Sequence, residues 1–261
     1  MKTVRKWGHG PYPVAVIHGG PGAPGEVAPV ARELSRFLGV IEPFQSEMTL
    51  DGQVQELRAV LEEDTQVPAV LVGFSWGAFL SWLTAARFPH LVRKLVLVSS
   101  PPFEESYAGA ITRTRLDRLK ASDRSEARAL LAKIEDPAAG DKDAALARLG
   151  LILSYADAYD PGQIRDEAFH TQYRIFRGVW DEACELRRKG VLAGMARAIR
   201  CPVVALHGDF DPHPAQGVEE PLSRECSDFR FILLEKCGHR PWIERLASDA
   251  FYEALLREIR E

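Results

Sequence analysis

Between Ala69 and Leu83 an apolar run, Ala69-Val-Leu-Val-Gly73-Phe, meets a small-residue turn at Ser75 and resumes as the helix-length segment Trp76-Gly77-Ala-Phe-Leu-Ser-Trp-Leu83. The first run is too short for a helix, and its uncharged, β-branched content suits a strand buried on both faces of a parallel sheet. Glycines stand two positions before and two positions after the serine. A tight strand-to-helix turn crowds both neighbours against its backbone, and the spacing matches the G-x-S-x-G pattern that lifts a serine hydroxyl above the sheet edge. The backbone N–H groups that open the next helix then point at whatever the hydroxyl meets. A serine that merely caps a helix leaves the same short motif, so partners elsewhere in the chain must separate the two readings.

Composition narrows the class. With 261 residues, 46% of them apolar, the chain can bury one large core, and a single domain carrying an insertion is the expectation. A net charge of -4 with both signs interspersed offers no basic stripe for phosphates, so no nucleic-acid partner is expected. Cys184, Cys201, Cys226 and Cys237 show no C-x-x-C spacing, which argues against a zinc knuckle or a redox dithiol and for free buried thiols. No apolar signal core opens the sequence and no uninterrupted apolar run reaches membrane-spanning length. A cytoplasmic protein without a membrane partner is the expectation.

Upstream of the serine, Pro13-Val-Ala-Val-Ile-His18 reads as a buried strand that breaks into Gly19-Gly20-Pro21-Gly22-Ala-Pro24-Gly25. Glycine at this density lets backbone N–H groups approach a ligand closely. No Gly-Lys-Ser/Thr follows, which excludes a P-loop; a plain turn or an oxyanion-binding loop remain, and the serine motif favours the second. Helical patterns cover Glu26 to Leu38, Leu50 to Glu63 and Trp76 to Arg87, the last stopped at Phe88-Pro89 where proline cannot continue the ladder. Val40 to Phe44 and Lys94 to Val98 read as strands between and after them. Such alternation implies βαβ units and a mostly parallel sheet with helices on both faces.

From Ser99-Ser-Pro-Pro-Phe103 to Arg200 the pattern is helical, with Thr112 to Lys120, Ser125 to Ile134, Ala144 to Ala158 and Asp166 to Lys189 as candidate helices. This stretch reads as an inserted helical cap. Strands return at Pro202 to His207 and Phe229 to Leu234, with helices near Val218 to Arg224 and from Pro241 to Arg260. The organisation is therefore a first core segment over 1–100, a cap over 101–200 and a second core segment over 201–261.

Two further sites follow strands of that second segment, where ligands of open parallel sheets bind. In His207-Gly-Asp209-Phe-Asp211-Pro-His213 two carboxylates sit just beyond a strand, and in Cys237-Gly-His239-Arg-Pro241 a histidine stands between a strand end and a helix start. The chain order serine, acid, histidine is the one the α/β-hydrolase scaffold uses. Together, His18-Gly-Gly-Pro-Gly22, Gly73-Phe-Ser-Trp-Gly77 with Phe88-Pro89, His207-Gly-Asp-Phe-Asp211 and Gly238-His-Arg-Pro241 resemble the α/β-hydrolase superfamily, and within it the proline iminopeptidase-like branch. The resemblance spans both core segments and leaves the cap without a placeable motif.

What the resemblance implies is an α/β-hydrolase fold and a serine hydrolase that needs no metal or organic cofactor and acts on a small ester or amide. Ser75 would attack a carbonyl, His239 would take and return the proton, and Asp211, placed by the family's spacing from Gly208, would orient the imidazole. Backbone N–H groups of Gly20 and Trp76 would bind the oxyanion. Asp209, or Glu104 and Glu105 after the preceding core strand, are alternative positions for the acid. The alternation of His207, Asp209, Asp211 and His213 also allows a metal chelate, which Gly208 and Pro212 make hard to build on one strand.

In the cap, Phe169, Tyr173, Phe176 and Trp180 share one helical face. That stripe is a packing surface or, at Phe176 and Trp180, a pocket wall. Glu167, Asp181, Glu182 and Glu185 lie on the same helix as solvated charges or as partners for a substrate ammonium. An aminopeptidase is the nearest alternative enzyme, although Pro43-Phe-Gln-Ser46 stands where that branch usually carries an Asp-x-x-Gly turn. A ligand receptor on the same fold is the alternative of another class. The oligomeric state is not encoded in any of these motifs.

Overall fold

The computed structural model describes residues 4–162 and 172–261. The first core segment runs β1 (Val4–Trp7), β2 (Val14–Ile17), α1 (Ala28–Leu34), β3 (Val40–Pro43), α2 (Leu50–Asp64), β4 (Ala69–Phe74), α3 (Trp76–Arg87) and β5 (Val92–Val98). There follow α4 (Ile111–Arg118), α5 (Ala121–Glu135), α6 (Lys142–Ala156), α7 (Tyr173–Arg188) and α8 (Val191–Gly194). The chain then returns to the sheet with β6 (Val203–Gly208), α9 (Gln216–Glu225), β7 (Phe229–Leu234) and α10 (Ser248–Arg260).

Seven strands form one sheet in the order β1-β3-β2-β4-β5-β6-β7. Every pairing is parallel except that of β1 with β3, so a mostly parallel α/β sheet carries helices on both faces. The side chains of β2, β4 and β6 are buried throughout, which is why these strands read as continuous apolar runs rather than as alternating ones. Val54, Leu57, Phe79, Trp82, Val179 and Leu222 pack on one face of the sheet, and Val30, Leu34, Phe251 and Leu255 on the other.

The helices between β5 and β6 divide by packing. Leu119, Ala127, Ile134, Leu149 and Ile152, around α5 and α6, make a small core of their own. Ile175, Val179 and Ala183 of α7, with Leu192 and Ala193 of α8, join the main core. Bringing α5 and α6 above the sheet while α7 remains anchored to α2 and α3 leaves a space between them at the carboxyl ends of the strands.

Several predicted bounds shift for local reasons. The first helix starts at Ala28 rather than Glu26, with Pro29 in its first turn, where a missing N–H costs nothing. The expectation of one helix from Pro241 to Arg260 is corrected: a short turn over Pro241–Ile243 is followed by an extended Glu244, and α10 begins at Ser248. Glu244 leaves the helical path because its carboxylate is drawn into hydrogen bonds with Tyr159 and Asp160. The candidate helix from Asp166 to Lys189 is observed from Tyr173 to Arg188; Glu167 and Phe169 lie outside the described residues.

Candidate active site

Ser75 occupies the single residue between β4 and α3, with φ 50 and ψ -116. A non-glycine residue with positive φ is strained, typically by about 1–3 kcal/mol, and such strain collects at functional sites. The hydroxyl makes no helix-capping bond, so the capping alternative does not hold. Both flanking glycines are required sterically. A Cβ on Gly73 would stand 2.3 Å from the Gly77 carbonyl oxygen, and one on Gly77 would stand 2.3 Å from that of Ile17.

His239 and Asp211 arrive from the ends of β7 and β6. The His239 Nδ1–H donates to Asp211 Oδ2 at 2.7 Å, and Nε2 lies 3.1 Å from Ser75 Oγ. Donation through Nδ1 to a carboxylate leaves Nε2 as the acceptor for the serine hydroxyl. Phe74, directly before the serine, packs against the imidazole in a tilted contact with ring centroids 4.9 Å apart. Three residues from three strand exits thus form one chain of hydrogen bonds, and all three are half-buried or buried.

Asp211 is held more tightly than its role toward His239 alone requires. Its Oδ1 accepts both the backbone N–H and the Nδ1–H of His213, each at 2.9 Å. His207 Nε2–H donates to the His213 carbonyl at 2.8 Å and lies 3.6 Å from Asp211 Oδ2. Burial opposes ionisation of this carboxyl, but the imidazoles of His239, His213 and His207 and the hydrogen bond from His213 outweigh it and hold Asp211 well below the usual carboxylate range. Burial pushes His213 down to about 4 against the attraction of Asp211, so that imidazole is neutral at neutral pH.

The other candidate acids are engaged elsewhere. Asp209 is exposed and accepts the Cys237 N–H at 3.1 Å, bracing the histidine loop. Glu104 pairs with Arg224, and Glu105 with Arg187. Asp209, turned to the Cys237 N–H, and His207, bonded to the His213 carbonyl, do not join Asp211 and His213 in a four-residue chelate. Asp211, His213 and His239 do converge, with ligand atoms within 4.8 Å of one another, but they satisfy each other by direct hydrogen bonds.

The glycine loop approaches the serine from β2. Gly20 (φ 37) and Gly22 (φ 80) adopt left-handed conformations that glycine accepts without strain. The His18 Nδ1–H donates to the Gly19 carbonyl at 2.8 Å, and Nε2 accepts the Gln45 N–H at 3.4 Å. The Gln45 side chain returns a bond to the His18 carbonyl at 3.2 Å. Complete burial lowers the pKa of His18 to about 4 despite its bond to Gly19, keeping the ring neutral and able to accept from Gln45. The segment that departs from the expected Asp-x-x-Gly turn therefore braces the loop that carries Gly20. Trp76 opens α3, so its N–H has no partner within the helix.

Ser75, Trp76, Gly20 and His239 line a cavity of about 510 Å³. Phe176 and Trp180 of α7 form part of its wall, stacked with centroids 6.4 Å apart, and Trp180 meets Trp76 edge-on at 6.4 Å. Tyr173, from the same predicted stripe, packs instead on the small α5–α6 core and bonds the Ile134 carbonyl. The three predicted carboxylates of α7 do not line the cavity: Asp181 pairs with Arg177, Glu182 accepts the Leu50 N–H, and Glu185 pairs with Arg188 and Lys189.

Sequence reasoning missed the opposite wall, formed by Leu146, Leu151 and Leu153 of α6 with Arg115 and Asp157. Arg115 grips Asp157 in a bidentate pair at 2.8 and 2.7 Å, joining residues far apart in the chain with no local motif. Glu26, His213 and Arg240 also line the cavity. Only His213 carried a signal, in its spacing from Asp211.

Comparison with known proteins places the chain. Residues 39–246 match the model of the alpha/beta hydrolase fold family. Epoxide hydrolase 4 of Mus musculus is 28% identical over 57 residues, a match spanning 22% of this chain and 16% of that protein. The solved structure of VinJ superposes with a TM-score of 0.71 at 20% identity, covering 98% of this chain and 94% of the other. An enol-lactonase from Burkholderia xenovorans LB400 superposes with a TM-score of 0.64 at 20% identity, over 99% and 96% of the two chains. No helix among the described residues is long and apolar enough to cross a membrane. With a family model matched over most of its length and a sheet of the same design, the chain belongs to the α/β-hydrolase fold family.

Proposed function

We propose that the protein is a serine hydrolase that cleaves a small carboxylic ester with an apolar acyl part through an acyl-serine intermediate. The observation that carries this reading is the hydrogen-bonded chain from Asp211 through His239 to Ser75, ending at an apolar cavity. His239 Nε2 removes the Ser75 proton as Oγ attacks the ester carbonyl, and Asp211 stabilises the imidazolium that forms. The N–H groups of Gly20 and Trp76 receive the developing oxyanion. The imidazolium then protonates the leaving alcohol, and the reverse sequence with water as nucleophile frees the acid and restores Ser75.

Small-molecule substrate is the sole partner this chemistry requires. The walls favour an aliphatic or aromatic acyl group, since Phe176, Trp180, Leu146, Leu151 and Leu153 surround the space above the serine. The name of the enol-lactonase neighbour, which acts on a cyclic ester, adds support at the level of fold alone. An aminopeptidase reading draws on Glu26 and Asp157 at the cavity. Asp157, however, is already neutralised by Arg115, so it is a poor partner for a substrate ammonium. Turnover of short p-nitrophenyl esters compared with proline and alanine arylamides tests the choice: higher kcat/KM on the esters is expected, and higher efficiency on the arylamides would overturn it.

A further inference from the structure

His239 is held by its ring from Asp211 and by its backbone from an unexpected direction. Its N–H donates to the Asp157 carbonyl, just beyond α6, at 2.8 Å. Glu244, five residues after the histidine, is completely buried. Its Oε1 accepts the N–H groups of Tyr159 at 2.8 Å and Gly238 at 2.9 Å, and its Oε2 accepts that of Asp160 at 2.7 Å. Three donors from two distant segments thus converge on one side chain. A carboxylate suits the position because both oxygens only accept, whereas an amide would turn its own N–H₂ toward at least one of these donors.

The same contact admits no side chain on the histidine loop. A Cβ on Gly238 would come within 2.1 Å of the Asp157 carbonyl oxygen and 2.6 Å of Glu244 Oε1. Further bonds extend the seam: Gly162 donates to the Ile243 carbonyl at 2.7 Å and Arg245 to that of Asp160 at 3.0 Å. On its far side, Asp157 is fixed by Arg115. The wall formed by α6 and the loop carrying the base are therefore joined backbone to backbone, with Glu244 at the joint.

We infer that Glu244 is a positioning residue: by drawing residues 157–160 onto Gly238 and His239, it sets the imidazole against Ser75 and couples it to the cavity wall. This inference rests on the hydrolytic reading above. Displacing a catalytic group by about 1 Å costs on the order of 100-fold in rate, and loss of one clamp is a displacement of that kind. Substrate affinity, set by the apolar walls, is largely spared.

The experiment uses the full chain with Glu244→Gln, and with Glu244→Asp, which keeps the charge but withdraws it by one methylene. Near-UV circular dichroism gives the folded fraction, p-nitrophenyl butyrate gives kcat and KM, and low-field proton NMR reads the His239 Nδ1–H bonded to Asp211. The expected result for folded Glu244→Gln is a kcat reduced about 100-fold with KM changed less than about threefold, together with a shifted or broadened low-field proton; Glu244→Asp falls between. Wild-type kcat and an unmoved proton in the folded variant would overturn the inference. Should Glu244→Gln not fold, Glu244→Asp decides by the same two readouts. Should the wild type hydrolyse no ester, the hydrolytic reading fails, and the NMR signal alone decides the inference: a moved proton supports it and an unmoved one overturns it.

Discussion

Lowering the pH from neutrality titrates two imidazoles that the fold keeps neutral, His18 beneath the glycine loop and His213 beside Asp211. Burial brings each from 6.5 to about 4 in the folded protein. An unfolded chain binds these two protons first, so their contribution to stability is complete above pH 6.5 and is lost as the pH falls toward 4. At about 1.4 kcal/mol per pH unit per proton, two protons give a slope of roughly 2–3 kcal/mol per unit in mid-window and a total loss of several kcal/mol. That is comparable with the whole stability of an ordinary domain, about 5–15 kcal/mol. Urea denaturation followed by fluorescence at successive pH values measures it directly. In His18→Gln, whose amide can still donate to the Gly19 carbonyl, the slope should fall to about half. Stability that stays flat between pH 6.5 and 4.5, or a slope untouched by His18→Gln, would show that these imidazoles are not held neutral by the fold. Asp211, held low, adds its own loss only at still lower pH, as protonation proceeds through its depressed pKa.

Three substitutions probe the site itself. Asp211→Asn should leave the protein folded, though less stable at neutral pH because the carboxylate held low by its imidazoles is gone, and reduce kcat by about 10⁴-fold, because the amide favours the wrong tautomer of His239; near-normal turnover would move the acid elsewhere. Gly77→Ala forces a Cβ to 2.3 Å from the Ile17 carbonyl, so soluble yield or melting temperature should drop sharply, and a wild-type melt would show that the turn has room to yield. Trp180→Ala should raise KM for bulky acyl esters about tenfold through lost apolar contact of roughly 1.5 kcal/mol, with acetyl esters changed least; equal effects on all acyl lengths would remove Trp180 from the acyl wall.

The parts of this molecule legible in the sequence are those where one local constraint acts alone. The glycines around Ser75, the proline after Phe88 and the apolar strands each follow from sterics or burial within a few residues, and α3 and β7 begin and end where those patterns place them. The strand exits that carry Asp211 and His239 were legible for the same reason. The opposite wall of the cavity was not, because Leu146, Leu151, Leu153 and the Arg115–Asp157 pair meet only through tertiary packing of α4 and α6. Glu244 was hidden inside what reads as a continuous helix, since periodicity records an acidic residue in a last segment and says nothing of backbone donors delivered from Tyr159 and Asp160. Of the aromatic stripe on α7, Phe176 and Trp180 reach the cavity while Tyr173 does not, a distinction that helical spacing alone does not carry.

The proposed chemistry depends on Ser75 as the nucleophile. Mass spectrometry of the intact protein and its peptides after brief exposure to an aryl phosphonofluoridate tests that most directly. A single adduct on Ser75 in the wild type, absent in Ser75→Ala and formed several hundred-fold more slowly in His239→Ala, is the predicted result. No adduct on the folded wild-type protein, or labelling at another residue at the same rate in Ser75→Ala, would contradict it.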